Sequence, residues 1–525
     1  MIGFARVCKE CLREYSALSD YDTFKRFILK RATLEPKRTT VELKLMEERG
    51  AAQQIKESGD VYIHIGIDDA DSPYGMCTTY LGALIYGEVI SIGEPMDYPL
   101  LVRLNPNIPM KTRGNASIGM RFKIPAEQLC NVEWRVLQII NQYAHTFFPK
   151  TNTSLVLYVT NDFALSAELI EIYQKAVKDV VPLIKIHDKL SKLNYGFLKI
   201  YSIREGSRGI VGALAGVGAL FYDYTYELLV YRLPENVGRE RIIDAKSVIR
   251  MNQKMGLYTF DNVDRGRILI SPKGADPILF GIRGDFPEKL LEAFKLVRHE
   301  PISLWCIFRS NQATSSHVIN IKKASEARPY WTVKLQVTVE RIETSESKVR
   351  ITAYNNDWRI EAYIYKLQTA LRNIARKLVE GDEIEIIGAV MERRPKYLEI
   401  NVEEIIPLNL TPLITVRNPI CPECGARLKK KSKDRYICEK CGYRVSFSHK
   451  LIILEGRTNI SEKRRYVSTP KAHRHLTMPT KRILFRSWKI AGLIKPYLIY
   501  PSIGVEKPDG HKIKKIKEIV PPKIV

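Results

Sequence analysis

At 525 residues the chain is too long for one hydrophobic core, and three or four domains are expected. No apolar run approaches a membrane span, the N-terminus lacks a signal-peptide pattern, and four of the nine cysteines sit in two tight pairs, so membrane and disulfide-stapled secreted classes are excluded and a cytoplasmic protein is predicted. The net charge of +25 is uneven: from Arg417 to Val525 there are 27 Lys and Arg against 8 Asp and Glu, which points to a polyanion partner rather than a thermophile's mixed-sign surface.

Residues 1–59 are highly charged, with helical stretches such as "DTFKRFILKRATLE", and are expected to form a helical N-terminal extension, or a start-site artefact, since Met46 also offers a start. Its "CKEC" (Cys8, Cys11) has no second pair nearby and reads as two free thiols. Over 60–190 short strands ("VYIHIGI", "PLLVRLN", "ASIGMRFKI", "SLVLYVT") alternate with helices ("TTYLGALIYGEVI", "EWRVLQIINQYAHTFF", "SAELIEIYQKAVKDVV"), a unit of catalytic size. A second mixed unit over 191–325 has "YELLVYRL", "RILISP", "PILFGIRG" and "ISLWCIFRS" as strands and "PEKLLEAFKLV" as a helix. Residues 330–410 are strand-rich with one inserted helix, "LQTALRNIARKL", the appearance of an OB-fold barrel, which binds oligonucleotides on one face.

In the ribbon-like stretch 417–446, Cys421 and Cys424 are separated from Cys438 and Cys441 by a basic loop with Lys429, Lys430, Lys431, Lys433 and Arg435. Four thiolates at this spacing surround one tetrahedral Zn²⁺. A basic tail, 447–525, completes the chain.

The most informative phrase is "IHIGIDDADSPYGMCTTYL". An apolar, central strand ends in Asp68, Asp69 and Asp71, and such strand ends are where α/β proteins place their sites. Clustered carboxylates repel one another unless a divalent cation neutralises them, and Mg²⁺ held by acids and substrate phosphates is the usual arrangement of phosphoryl transfer. Thr78 and Thr79 open the next helix, whose N-terminus is an anion site. The loop "NPNIPMKTRGNAS" adds Lys111, Arg113 and Gly114 as a second phosphate-binding stretch.

Several phrases in one order, "IGIDDADSPYGMCTTYL", "RLNPNIPMKTRGN", "GSRGIVGALAGVGAL", "TFDNVD", "PILFGIRG", "NPICPECG" and "AHRHL", make the chain from about Tyr62 to about Leu476 resemble the archaeal tRNA 2-agmatinylcytidine synthetases. The resemblance implies a multidomain α+β protein with a kinase-like α/β domain, a ferredoxin-like domain, an OB-fold barrel and a zinc ribbon. It implies ATP cleavage to AMP, with the γ-phosphate activating the oxygen at position two of the wobble cytosine in an isoleucine tRNA with a CAU anticodon, and agmatine then displacing that phosphate. It puts the threonine that becomes phosphorylated on Thr78 and the metal and nucleotide carboxylates on Asp68, Asp69 and Asp71. The family phrase usually has Thr where this chain has Ala70, which removes one hydroxyl beside the acids. Agmatine is doubly cationic, and Asp223, Asp261 and Asp264 are candidate acceptors for it. A non-catalytic tRNA or single-strand binding protein built on the OB and zinc modules competes with the enzyme, as does a phosphotransferase with another RNA target. The acid cluster beside Thr78 favours the enzyme, since a binding protein gains nothing from three clustered carboxylates.

Overall fold

The computed structural model describes residues 59–72, 75–109, 111, 114–147, 151–193, 196–202, 207–274, 276–446, 451–455, 457, 459–483 and 503–504. The expected N-terminal extension, with Cys8 and Cys11, lies outside them, as do Arg113 and most of the chain beyond 483. Among the described residues no helix is long and apolar enough to cross a membrane. The described chain forms two compact units. One runs to Ile319 and takes in Tyr330–Thr332 and the residues from Pro470 onward; the other comprises Asn320–Pro329 and Val333–Thr469.

The first unit contains, in order, β1 (Asp60–Asp68), α1 (Thr78–Val89), β2 (Leu100–Arg103), β3 (Ala116–Pro125), α2 (Leu129–Ile139), β4 (Ser154–Thr160), α3 (Ala167–Lys178), α4 (Leu183–Leu190), β5 (Phe197–Ser202), α5 (Gly209–Val217), β6 (Thr225–Arg232), α6 (Ala245–Met255), β7 (Ile278–Gly284), α7 (Pro287–Phe294) and β8 (Ile302–Ser310). These strands form one sheet in the order β5–β4–β1–β3–β2–β8–β6–β7, antiparallel throughout except for the parallel pair β2–β8. The sheet therefore runs on through both blocks that the sequence divides near residue 190.

β1 is central because it is apolar on both faces. Val61, Ile63, Ile65 and Ile67 join the core under α1 and α2, while the opposite face meets α5, itself packed with α3 and α4. Glycines permit this second contact: a side chain at Gly66 would overlap the Ala213 carbonyl, and one at Gly119 the Gly216 carbonyl. The glycine phrase is thus a helix pressed onto the sheet. On the other half of the sheet, Val248, Met251 and Met255 of α6 and Leu290, Ala293 and Phe294 of α7 cover Leu228, Val230, Phe280 and Ile282.

Three expectations are corrected in detail. The helix after Glu133 continues as a π-helical stretch, Ile140–Phe147. "RILISP" pairs only over Arg267–Ile268, against Val263–Asp264. Helices α4 and α6 carry apolar residues at helical spacing that a strand-directed reading passes over.

The second unit holds β9 (Thr332–Thr344), β10 (Lys348–Asn355), β11 (Trp358–Tyr365), α8 (Thr369–Ala375), β12 (Glu383–Arg394) and β13 (Tyr397–Asn409). The order β9–β10–β11–β13–β12, with β12 returning to β9, closes a five-stranded barrel, and β11–β13 is its parallel pair. This is the OB architecture the strand pattern predicts. The cysteine-rich stretch forms a three-stranded sheet of Lys429–Lys430, Arg435–Ile437 and Arg444–Ser446. Part of the expected tail is folded in: Leu451–Glu455 pairs with Leu413–Arg417, and Tyr466–Val467 pairs with β13.

Candidate active site and metal centre

The acid loop begins where β1 runs out of partners. Asp69 takes a left-handed backbone conformation, φ 59°, which turns the chain out of the strand. Asp68 stays buried; its Oδ1 accepts from the Asp69 amide at 2.6 Å, and the carboxylate occupies space left by Gly212 on α5. Burial first, then the charges of Asp69 and Asp71, push its pKa well above the carboxylate range. Asp71 turns the other way and accepts from the Thr78 amide at 3.3 Å, at the first residue of α1. The Thr78 hydroxyl accepts from the Ala70 amide at 3.2 Å, so acid loop and helix start are tied reciprocally. The Thr79 hydroxyl contacts Cys77 Sγ at 3.3 Å instead. Ala70 is fully buried in the apolar core, so the position at which the family phrase usually has threonine faces packing.

Asp68 and Asp69 line a cavity of about 190 Å³ together with Lys111, Asn115, Arg208 and Gly212. Two of the three sequence-predicted acids and Lys111 therefore line one cavity. Asp71 does not line that cavity; it is bonded to the Thr78 amide, and its charge reaches Arg103. Among the described residues, the four cysteines form the one group of three or more potential metal ligands with all ligand atoms within 4.8 Å of one another. The three aspartates do not form such a group.

A buried polar network behind Asp71 escaped the sequence reading. Glu227 on β6 accepts from Arg283 Nε at 2.9 Å and from the Gln312 amide, and faces Arg103 Nη2 at 3.7 Å. Arg103 also donates to Gln312 Oε1 at 3.1 Å and to the Gly114 carbonyl at 3.2 Å. The signal was present: Arg103, Glu227 and Arg283 are charges inside strands that otherwise read as buried.

The candidate agmatine acceptors separate. Asp223 is held by both terminal nitrogens of buried Arg482, at 2.9 and 2.5 Å, so its charge is met within the fold. Asp261 accepts from His473 Nδ1 at 3.1 Å, and Asp264 lies on the short hairpin beside it.

At the cysteine cluster, Cys421 and Cys441 sulfurs are 3.5 Å apart and Cys424 and Cys438 sulfurs 3.4 Å apart. Four sulfurs about 2.3 Å from a common centre would stand somewhat under 4 Å apart, so the set fits tetrahedral zinc. Gly425 and Gly442, at φ 68° and 77°, make the turn after each pair.

Family models described as the TiaS TCKD domain and the TiaS FLD domain match residues 64–128 and 207–317. The tRNA(Ile2) 2-agmatinylcytidine synthetase TiaS of Pyrococcus horikoshii is 36% identical over 433 residues, covering 79% of this chain and 96% of that protein. Its counterpart in Thermococcus sibiricus is 36% identical, covering 80% and 96%. Among solved structures, the TiaS–tRNA(Ile2)–ATP complex superposes with a TM-score of 0.66 at 31% identity, over 81% of this chain and 98% of that one. The TiaS–tRNA(Ile2)–AMPCPP–agmatine complex gives 0.65 at 30% identity, over 81% and 98%.

Proposed function

This chain belongs to the family of tRNA(Ile2) 2-agmatinylcytidine synthetases, and from that premise we propose how its residues perform the reaction. It is an ATP-dependent ligase that joins agmatine to position two of the wobble cytidine of the CAU-anticodon isoleucine tRNA. A ring oxygen is a poor leaving group, and phosphorylation makes it a good one. The cytosine oxygen takes the phosphoryl group, the primary amine of agmatine attacks the ring carbon, and phosphate departs with that oxygen. The observation that carries this reading is the tie between Asp71 and Thr78 at the start of α1, beside the cavity that Asp68 and Asp69 share with Lys111.

In this reading Asp68, Asp69 and Asp71 would hold Mg²⁺ together with nucleotide phosphates, and the ion would favour the ionised form of Asp68 against its burial and the charges of its two neighbours. Lys111, Arg113 and Gly114 bind phosphate, and Thr78 carries a transient phosphoryl group. Asp261 and Asp264 accept the cationic ends of agmatine, while Asp223, engaged by Arg482, anchors the fold. Cys421, Cys424, Cys438 and Cys441 hold zinc and stiffen the basic loop for the polyanion. The ligase works in the cytoplasm, with residues 60–190 and 191–325 as its kinase-like and ferredoxin-like domains.

The test is mass analysis of a CAU-anticodon isoleucine tRNA after incubation with the protein, ATP, Mg²⁺ and agmatine. The expected product gains one agmatine less one water on the wobble cytidine. An unmodified tRNA would overturn the reading.

A further inference from the structure

The phrase "AHRHL" lies beyond the zinc ribbon, yet the chain returns it to the first unit as a strap, and both ends of the strap are fastened. His473 Nδ1 donates to Asp261 at 3.1 Å, and Arg474 donates to Asn107 in the phosphate loop. The His475 and Leu476 carbonyls accept from the Ala313 and Ser315 amides, each at 2.8 Å. Seven residues further, Arg482 is buried and bonds Asp223, Asp285 and the Ala313 carbonyl. A strap held at this many points fixes the side chain between them.

That side chain is His475. Its Nδ1 lies 3.2 Å from Arg283 Nη2, and a guanidinium can only donate, so Nδ1 accepts and the ring proton belongs on Nε2. Nε2 is 3.4 Å and Arg103 Nη1 2.5 Å from where a Cβ of Gly114 would stand, so the imidazole N–H and that guanidinium converge on the place where this glycine carries no side chain. Among the described residues Nε2 has no hydrogen-bond partner. Arg103, Arg283 and Lys111 all bring positive charge to the ring. Glu227 answers the two arginines, with the fields of Asp71 and Asp261 reaching Arg103 and Arg283 respectively. The surroundings are those of an anion site with one unused donor.

We propose that His475 is a phosphate-binding residue of the active site, donating its Nε2–H as a neutral imidazole to a phosphoryl oxygen of the nucleotide or of the phosphoryl group in transit, with Arg283 and Arg482 as positioning residues. The inference rests on the proposed ligase reading and adds a ligand-binding side chain supplied from beyond the zinc ribbon. Neutrality is enforced by burial and by the charges of Arg103, Arg283 and Lys111, which hold the imidazole pKa well below its usual value.

The experiment uses the full chain with its tRNA. His475→Ala is expected to weaken ATP binding in titration calorimetry with Mg²⁺-ATP and to lower kcat/KM for ATP cleavage by about ten-fold or more. His475→Gln, which keeps an acceptor for Arg283 and an N–H donor, should restore most of the loss, and all variants should melt within a few degrees of the parent. A purely structural role predicts instead that activity follows melting temperature and that Gln does not rescue. The inference falls if His475→Ala matches the parent in ATP affinity and kcat/KM, or if the parent's pH profile shows an inflection near 6.5 that His475→Gln removes. A parent that binds ATP without modifying tRNA would refute the ligase reading and leave the ATP affinities to decide on His475; a parent that binds no ATP refutes both.

Discussion

The Asp68 carboxylate lies in the space that any side chain at Gly212 would occupy. Strand β1 and helix α5 therefore meet at the first acid of the loop, and the fit is between a backbone without a side chain and a buried carboxyl group. A methyl group at Gly212 must displace that carboxyl, because Asp is too short to swing clear while its Oδ1 keeps the Asp69 amide at 2.6 Å.

Gly212→Ala should accordingly cut ATP cleavage by on the order of 100-fold, a loss typical of one misplaced electrostatic group. Asp68→Ala and Asp71→Ala should abolish it. Retention of tRNA on a filter should persist in all three, since phosphate-backbone contacts are distributed over the basic residues. Undiminished turnover in these variants would remove the acids from the site.

Thr78 is tested by transfer of label from γ-labelled ATP. The parent and Thr78→Ser should be labelled and Thr78→Val should not. Val also strands the buried Ala70 amide, whose partner is the Thr78 hydroxyl, at a cost of about 1–3 kcal/mol. Ser therefore serves as the folding control, and Thr79→Val, which removes a hydroxyl directed to Cys77 and Tyr231 rather than to the acid loop, should remain labelled. Label retained on Thr78→Val would put the phosphate elsewhere and reduce the helix start to anion binding.

How much of this was legible depended on whether the signal was local. β1, α1 and the cysteine ribbon are written in contiguous residues, by uninterrupted apolar runs and by ligand spacing, and the barrel by alternation. The Arg103–Glu227–Arg283 network is not, because it joins three separate strands, Arg283 standing 56 residues from Glu227 and Arg103 further still, and each member looks like an isolated charge in a strand. Asp223 shows the same limit: it stands as a carboxylate before a strand, and only the fold brings up Arg482, 259 residues on, to hold it. The acids of the loop are plain in the sequence, but their divergence is not, since sequence proximity does not say that Asp68 turns toward α5 and Asp71 toward α1.

For the ribbon, Cys421→Ser should release zinc, measured by metal analysis, and weaken tRNA binding. Labelling at Thr78 without tRNA should be retained, because the cysteines pack with Leu428 and Tyr436 in a small core of their own. A parent without zinc, or a variant with full tRNA affinity, would contradict this assignment.

His64 sits on β1 between Tyr158 and Phe163, fully buried, and neither ring nitrogen has a hydrogen-bond partner among the described residues. Burial first and the Arg121 charge second lower its pKa to about 3. The sign of the pH effect follows. Above the unfolded value of about 6.5 the ring is neutral in both states and stability is unaffected. Below it the unfolded chain binds a proton that the folded chain refuses, so stability falls by up to about 1.4 kcal/mol per pH unit until the folded value is reached. At pH 5 the loss from this one group is about 2 kcal/mol, or about 4–8 °C in melting temperature for a unit of this size. His64→Phe cannot titrate and leaves a ring among rings. Its own packing cost shifts melting equally at pH 7 and pH 5, so the difference between the two pH values isolates the proton. The variant should lose several degrees less than the parent on going from pH 7 to pH 5, and parallel acid limbs would show that His64 is protonated in the folded protein or reaches water.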